Sequence, residues 1–109
     1  MSEPRVIKKY PNRRLYDTTE SRYITLHDVR QMVVERKSFV IIDKRTLEDI
    51  TRTILLQVIA EQEQSARPLM SMDFLCDVIR CYSNQQLQVG HYLEETLRFF
   101  VERQRAQTP

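Results

Sequence analysis

Residues 7–18 read IKKYPNRRLYDT. Lys8, Lys9, Arg13 and Arg14 flank a Tyr-Pro-Asn corner, with Tyr10 and Tyr16 on either side of it, and no acidic residue falls between Pro4 and Tyr16. The chemistry open to this set is contact with a polyanion. Ammonium and guanidinium groups neutralise phosphates, while Arg, Asn and Tyr can also bond sugars or base edges. Pro presets the backbone for a tight reversal, and Asn can bond its own backbone or accept a positive φ. The expected product is a short hairpin with cations near its tip and aromatic rings at its base. Lys and Arg on an exposed strand can also serve only to keep a sheet edge soluble. The missing acids, the two cation pairs and the interleaved Tyr and Asn speak for nucleic acid, and on the residues alone both readings stay open.

Other chemistry is thinly represented. His27 and His91 have no carboxylate or thiol at ligand spacing, so no metal site is expected. Cys76 and Cys81 are five apart and read as two reduced, semi-buried thiols. Gly90 is the single glycine, which argues against a Gly-rich phosphate loop and its nucleotide cofactors. Asp43, Glu48 and Asp49 form an acidic loop cluster that reads as a solvated turn rather than an acid–base pair. No enzyme activity and no cofactor are expected.

The elements that must hold the cations follow from pattern. The chain has 109 residues, 41% hydrophobic and 29% charged, an ordinary globular composition. Residues 1–45 hold 11 Lys/Arg against 6 Asp/Glu, and residues 46–109 hold 6 against 9. A basic half joined to an acidic half suggests a nucleic-acid face and a separate protein-contact region. The start of the chain has no apolar core of signal-peptide kind, and no apolar run is long enough for a membrane, so an intracellular soluble protein is expected.

Val6–Tyr10, Leu15–Asp17 and Tyr23-Ile24 read as short strands. Thr25 is a helix N-cap with Asp28 three residues on and Ile24 and Val29 as a hydrophobic staple. Leu26, Val29, Met32 and Val33 supply the apolar stripe. The helix should end near Glu35–Lys37. Phe39–Ile42 reads as a buried strand, followed by a reversal and a very short strand at Asp49–Thr51. Thr51 reads as the cap of a second helix running to about Gln64, with Ile50 and Leu55 as its staple. Ser71 opens a third helix, with Met72, Leu75, Val78, Ile79 and Tyr82 on its apolar face. A last helix covers 85–105, or starts near Gly90, since glycine inside a helix costs about 1 kcal/mol.

The expected class is α+β: a small N-terminal antiparallel sheet with two helices, βββαββα, over 1–65, then a two-helix self-association segment over 66–109. The last two helices expose apolar faces that need a cover. Either the N-terminal domain or a second copy of the chain could provide it, and self-association is favoured.

The string IKKYPNRRLYDTTESRYITLHDV, followed by FVIIDKRTLEDITRTILLQVIAEQE, resembles the DNA-binding domain of the polyhydroxyalkanoate synthesis repressor family, regulators of polyhydroxybutyrate (PHB) accumulation. The motifs KKYPNRRLYDT, S-x-YITL, DIT and Gln-x-x-x-Glu-Gln-Glu fall in order over about residues 5–63. Pro68–Phe100 resembles the family's accumulation-regulatory segment less closely. Leu47 stands where the family pattern has a Gly in the turn.

The resemblance implies a transcriptional repressor of phasin genes. It would bind double-stranded promoter DNA, be released by PHB polymer or hydroxybutyrate oligomers, and associate with itself as a dimer or tetramer. It would be cytoplasmic, moving between nucleoid and granule surface. Carried over by motif, Lys8, Lys9, Tyr10, Asn12, Arg13, Arg14 and Tyr16 are the DNA contacts, although Tyr16 could instead be core. Lys8, Lys9 and Arg13 would neutralise phosphates, and Arg14 or Asn12 would read a base edge. Arg22, Lys44 and Arg45 are second-tier phosphate contacts. Phe74, Tyr92, Leu93, Leu97, Phe99 and Phe100 are candidates for polymer binding or oligomerisation. The alternative is a granule-coat protein whose basic hairpin serves only solubility.

Overall fold

Short β-branched and aromatic runs on either side of tight turns fold back as a meander. In the computed structural model, which describes residues 3–83 and 86–107, β1 (Arg5–Lys9), β2 (Leu15–Asp17) and β3 (Arg22–Ile24) pair antiparallel. β4 (Phe39–Asp43) lies parallel to β1, giving the order β3-β2-β1-β4. The α+β class holds, but the sheet, expected to be all antiparallel, is mixed. α1 (Leu26–Val34) carries the chain back across the sheet, so β4 re-enters in the direction of β1. The basic hairpin therefore supplies the two central strands rather than a loose edge.

Alternation splits the strands into two faces. Ile7, Leu15, Ile24 and Ile41 point to one side and are buried with Val29 and Met32 of α1 and Ile54 of α2 (Thr51–Glu63). On the other side Ile42, Lys8, Tyr16 and Tyr23 form a row, since Lys8 is opposite both Ile42 and Tyr16, and Tyr16 is opposite Tyr23. No helix of this unit caps that row. The sheet is thus a two-layer platform with one covered face and one bare, basic and aromatic face.

α1 is delimited by local sequence. The Asp28 N–H donates to Thr25 Oγ1 at 3.3 Å, and the Thr25 N–H donates to Asp28 Oδ2 at 2.9 Å, a complete capping box. At the other end the Lys37 N–H reaches the Met32 carbonyl and the Arg36 N–H reaches that of Val33, with Arg36 at φ 60°, the Schellman arrangement. The Thr25 N–H is the main cause holding the Asp28 carboxyl below its ordinary value of 3.8. Its cap is therefore present above that value and is lost as pH falls through the lower, folded one. Asp28→Ala is expected to cost about 1 kcal/mol at neutral pH, with the gap to wild type closing in acid, once pH is below the lowered value of the folded state. Urea unfolding at both pH values measures it; a gap that is the same at both would assign the loss to something other than the ionised cap.

The second helix begins differently from expectation. Ile50, not Thr51, is its N-cap, and no side chain caps it. The Thr51 hydroxyl accepts the Ile41 N–H at 2.8 Å and donates to Asp49 Oδ1 at 2.7 Å, while the Ile50 N–H donates to the Ile41 carbonyl. The strand expected at Asp49–Thr51 is correspondingly a single bridge, Ile42 to Asp49. A side-chain hydroxyl takes the next rung of the ladder, so pairing stops and the helix starts. The same contacts shield the outer edge of β4 from pairing with another chain.

The glycine is spent inside a helix, so the turns bend through other residues. Arg13, Ser21, Arg36 and Leu47 all have positive φ, between 56° and 67°. Each costs roughly 1 kcal/mol relative to glycine in that region. Leu47, where the family pattern has Gly, is one of these positions.

The chain divides into two units, Met1–Pro68 and Leu69–Pro109. The second unit holds α3 (Met72–Cys81) and α4 (Gln86–Gln107). Ser71 caps α3 by accepting the Phe74 N–H at 3.1 Å, as its sequence predicts. Asn84, in the expected break before α4, lies outside the described residues. Gly90 sits within α4. α3 buries none of its residues, and Met72, Phe74, Leu75, Ile79 and Tyr82 are all exposed. Cys76 is exposed and Cys81 half-buried, both as free thiols. Among the described residues no helix is long and apolar enough to cross a membrane.

Candidate nucleic-acid interface

The hairpin tip is a three-residue loop, Pro11-Asn12-Arg13. The Tyr10 N–H donates to the Arg14 carbonyl and the Arg13 N–H to the Tyr10 carbonyl, each at 2.9 Å. Asn12 bonds its local backbone, accepting the Arg14 N–H on Oδ1 at 3.2 Å, as its residue type suggests. The left-handed residue is not Asn12 but Arg13, at φ 67°, the position a bulged three-residue hairpin assigns to it. Pro11, Asn12, Arg13 and Arg14 are all exposed. The loop thus sets Arg13 and Arg14 at the exposed end of the hairpin on a backbone fixed by cross-strand hydrogen bonds.

Behind the tip lies an aromatic cluster on the bare face. Tyr16 meets Tyr23 edge-to-face at 5.2 Å between centroids and meets Tyr10 edge-to-face at 6.3 Å; Tyr10 and Tyr23 are tilted at 6.3 Å. The Arg14 guanidinium lies 3.9 Å from the Tyr23 ring centroid, and Lys44 Nζ lies 4.4 Å from that of Tyr10. Each cation is held over a ring face, worth about 0.5–1 kcal/mol at exposed sites. The rings therefore act as mounts for the cations rather than as free stacking surfaces. Tyr16, a contact or a core residue by sequence, is half-buried in the middle of this cluster and belongs to neither the helix-covered core nor the open tip.

The expected cations fall into two groups. Lys8, Lys9, Arg13, Arg14, Lys44 and Arg45 have no carboxylate at salt-bridge distance among the described residues. Lys8 points to the bare face and Lys9 to the helix-covered side, beside Asp43. Lys44 and Arg45 follow β4, in a turn closed by Asp43 Oδ1, which accepts the Arg45 and Thr46 N–H groups at 2.8 and 3.1 Å. Arg22 is different: its Nε is 3.1 Å from Glu20, so it is already paired. Tyr23 was not among the expected site residues. Its partnership with Arg14 and Tyr16 depends on strand register, and the YITL motif alone carries only its residue type.

The acidic loop cluster is a set of turn acceptors. The Thr46 N–H, then that of Arg45, holds the Asp43 carboxyl below its usual range, and the Thr51 hydroxyl and N–H do the same for Asp49. Among the described residues no group of three His, Cys, Asp or Glu is placed to hold a metal. In the second unit Phe74, Leu93, Leu97 and Phe99 are exposed, and Arg103 lies 5.9 Å from the Phe99 ring centroid. The side chains of Tyr92 and Phe100 lie outside the described residues.

Residues 6–66 match the PHB/PHA accumulation regulator DNA-binding domain, a span that holds all of the sheet but Arg5, together with α1, α2 and the cations of the hairpin and of the turn after β4. Along its full length the chain is 48% identical over 109 residues to a Thiocystis violacea protein described as an uncharacterized protein in the phbA 5′ region, covering 99% of this chain and 79% of that one. It is 47% identical to an uncharacterized protein of Allochromatium vinosum, covering 99% of this chain and 71% of that one. No solved structure gives a significant match. The basic hairpin and its tyrosine mounts are thus part of a DNA-binding domain, and the chain belongs to the family of PHB/PHA accumulation regulators.

Proposed function

We propose that this PHB-related regulator is a cytoplasmic transcriptional repressor of granule genes such as those of phasins, released from its promoter by PHB polymer or hydroxybutyrate oligomers. The observation that carries the reading is the hairpin and the turn beside it: cations with no carboxylate at salt-bridge distance among the described residues, presented by a tight loop, two of them, Arg14 and Lys44, held over tyrosine rings. Lys8, Lys9 and Arg13 neutralise duplex phosphates, with Lys44 and Arg45 adding to the track. Arg14 or Asn12 reads a base edge. Asn12 Oδ1 is engaged with the loop, so its amide NH₂ is the group left to donate.

The exposed apolar residues of α3 and α4, including Phe74, Leu97 and Phe99, support a contact with a second copy and with the uncharged polyester. Assembly presents several hairpins to one promoter and raises affinity by avidity. Polymer that competes for the same faces removes that gain, which couples granule formation to derepression.

The same exposed faces favour a second reading, a granule-coat protein without specific DNA binding. Fluorescence anisotropy with a phasin-promoter duplex and a scrambled duplex of equal length separates the two. The repressor reading expects at least tenfold preference for the promoter and loss of binding when amorphous PHB granules are added and pelleted. Equal affinity for both duplexes, with protein still carried down by the granules, would leave the granule coat as the function.

A further inference from the structure

Beside the hairpin tip, the end of the sheet opens into a groove of about 940 Å³. Its rim carries Lys9, Arg13 and Arg14, and its floor and far wall are Leu26, Ile54 and Gln57, with edges of the core strands between them. No Asp or Glu lines it; Asp43, next to Lys9 in the sheet, is turned into its own loop and bonded to the Arg45 and Thr46 N–H groups. Three cations at one end and an apolar floor at the other make an amphipathic site that a bare phosphate would use only in part.

We propose that this groove binds a small carboxylate with a short apolar tail, its head on the Arg13 and Arg14 guanidinium groups and its tail along Leu26 and Ile54. Guanidinium groups match carboxylate geometry, and each methylene moved from water to the floor strengthens binding by about fourfold. Lys9, Arg13 and Arg14 also belong to the hairpin cations, so an occupied groove takes them from DNA. That coupling, though not the binding itself, rests on the reading of the hairpin as the duplex-contacting element.

The test uses the full chain, with ¹H–¹⁵N correlation spectra recorded during titration with acetate, butyrate, hexanoate, 1-hexanol and inorganic phosphate. Affinity should climb about three- to fourfold per methylene along the carboxylates. Hexanol and phosphate should each bind at least tenfold more weakly than hexanoate. Shifts should centre on Leu15, Ile24, Leu26, Ile54 and Gln57. Gln57 is exposed on α2, and Gln57→Phe, which fills the groove, should weaken hexanoate at least tenfold. A flat chain-length series in wild type, hexanol or phosphate matching hexanoate, or Gln57→Phe without effect would overturn the site. For the coupling, a labelled duplex is first titrated alone. A duplex that does not bind defeats the DNA reading and leaves the groove judged on its spectra. A duplex that binds and is displaced no better by hexanoate than by equimolar acetate defeats the coupling.

Discussion

Replacing Lys8, Lys9, Arg13 and Arg14 together by alanine is expected to lower duplex affinity by about a thousandfold or more near 0.1 M salt. Each phosphate neutralised contributes roughly 0.9 to the slope of log affinity against log salt, which near 0.1 M is a little under a factor of ten per contact. Lys8, Lys9 and Arg13 as phosphate contacts account for about three such factors. Arg14, held over Tyr23, adds about another tenfold if it reads a base, since a good bidentate pair is worth roughly 1–3 kcal/mol. The slope itself should flatten by about three units, a readout that loss of folding would not produce. The fold should survive, because Lys8, Arg13 and Arg14 are exposed and the loop is closed by backbone bonds that alanine retains. Single variants divide the roles. Arg13→Ala should weaken all duplexes alike, and Arg14→Ala should relax discrimination at one base position. An unchanged affinity in the fourfold variant would remove the hairpin from the interface.

How much of this was readable beforehand tracks how local each interaction is. Thr25 and Asp28 are three residues apart and settle their capping box between themselves, so the start of α1 was legible to the residue. The same holds for Ser71, and the Pro11-Asn12 corner was legible as a reversal though not in its loop type. Thr51 looked like a second Thr25, but its hydroxyl is claimed by the Ile41 N–H ten residues back, and no local pattern announces that competition. Phe39–Asp43 is a buried strand by composition, yet composition carries no direction, and only the α1 crossover makes it parallel to β1. Turn strain was half legible. Leu47 stands out against the family's Gly and does carry a positive φ. Arg13 gave no such sign, since Asn12 was the more plausible left-handed residue and instead bonds the loop through its side chain. The largest gap was Tyr23. Its ring holds Arg14 and closes the tyrosine cluster, and that follows only from the register that sets Tyr16 opposite Tyr23.

The register has a second consequence, at the opposite end of the hairpin from the cations. Asp17 lies on the helix-covered face of β2, opposite Ile7, and is 1% exposed. Its Oδ2 accepts from Arg5 Nη1 at 3.1 Å, and its Oδ1 accepts the Thr19 and Glu20 N–H groups at 2.9 and 3.3 Å. One carboxylate thus joins the start of β1 to the end of β2 and shapes the turn into β3. Asp17→Asn keeps an oxygen for the two N–H groups but turns an amide NH₂ toward the Arg5 guanidinium, donor against donor. Breaking a buried pair costs about 3–5 kcal/mol, and the partial exposure of Arg5, at 22%, with its second carboxylate at Glu20 Oε2, 3.7 Å away, places this one near the lower figure. For a unit of this size that is a fall in melting temperature of roughly 12–24 °C. Adding Arg5→Met to Asp17→Asn removes the cation that has lost its buried partner and should recover part of the loss, because the two positions are coupled rather than additive. Thermal melts followed by circular dichroism compare wild type, Asp17→Asn, Arg5→Met and the double variant. Asp17→Asn melting within a few degrees of wild type, or a double variant less stable than the sum of the two singles, would mean that the Arg5–Asp17 pair does not hold the hairpin. At a temperature where Asp17→Asn is still folded, its duplex affinity should match wild type, since every cation of the interface is unchanged; a loss there would extend the DNA-binding surface to the far end of the sheet.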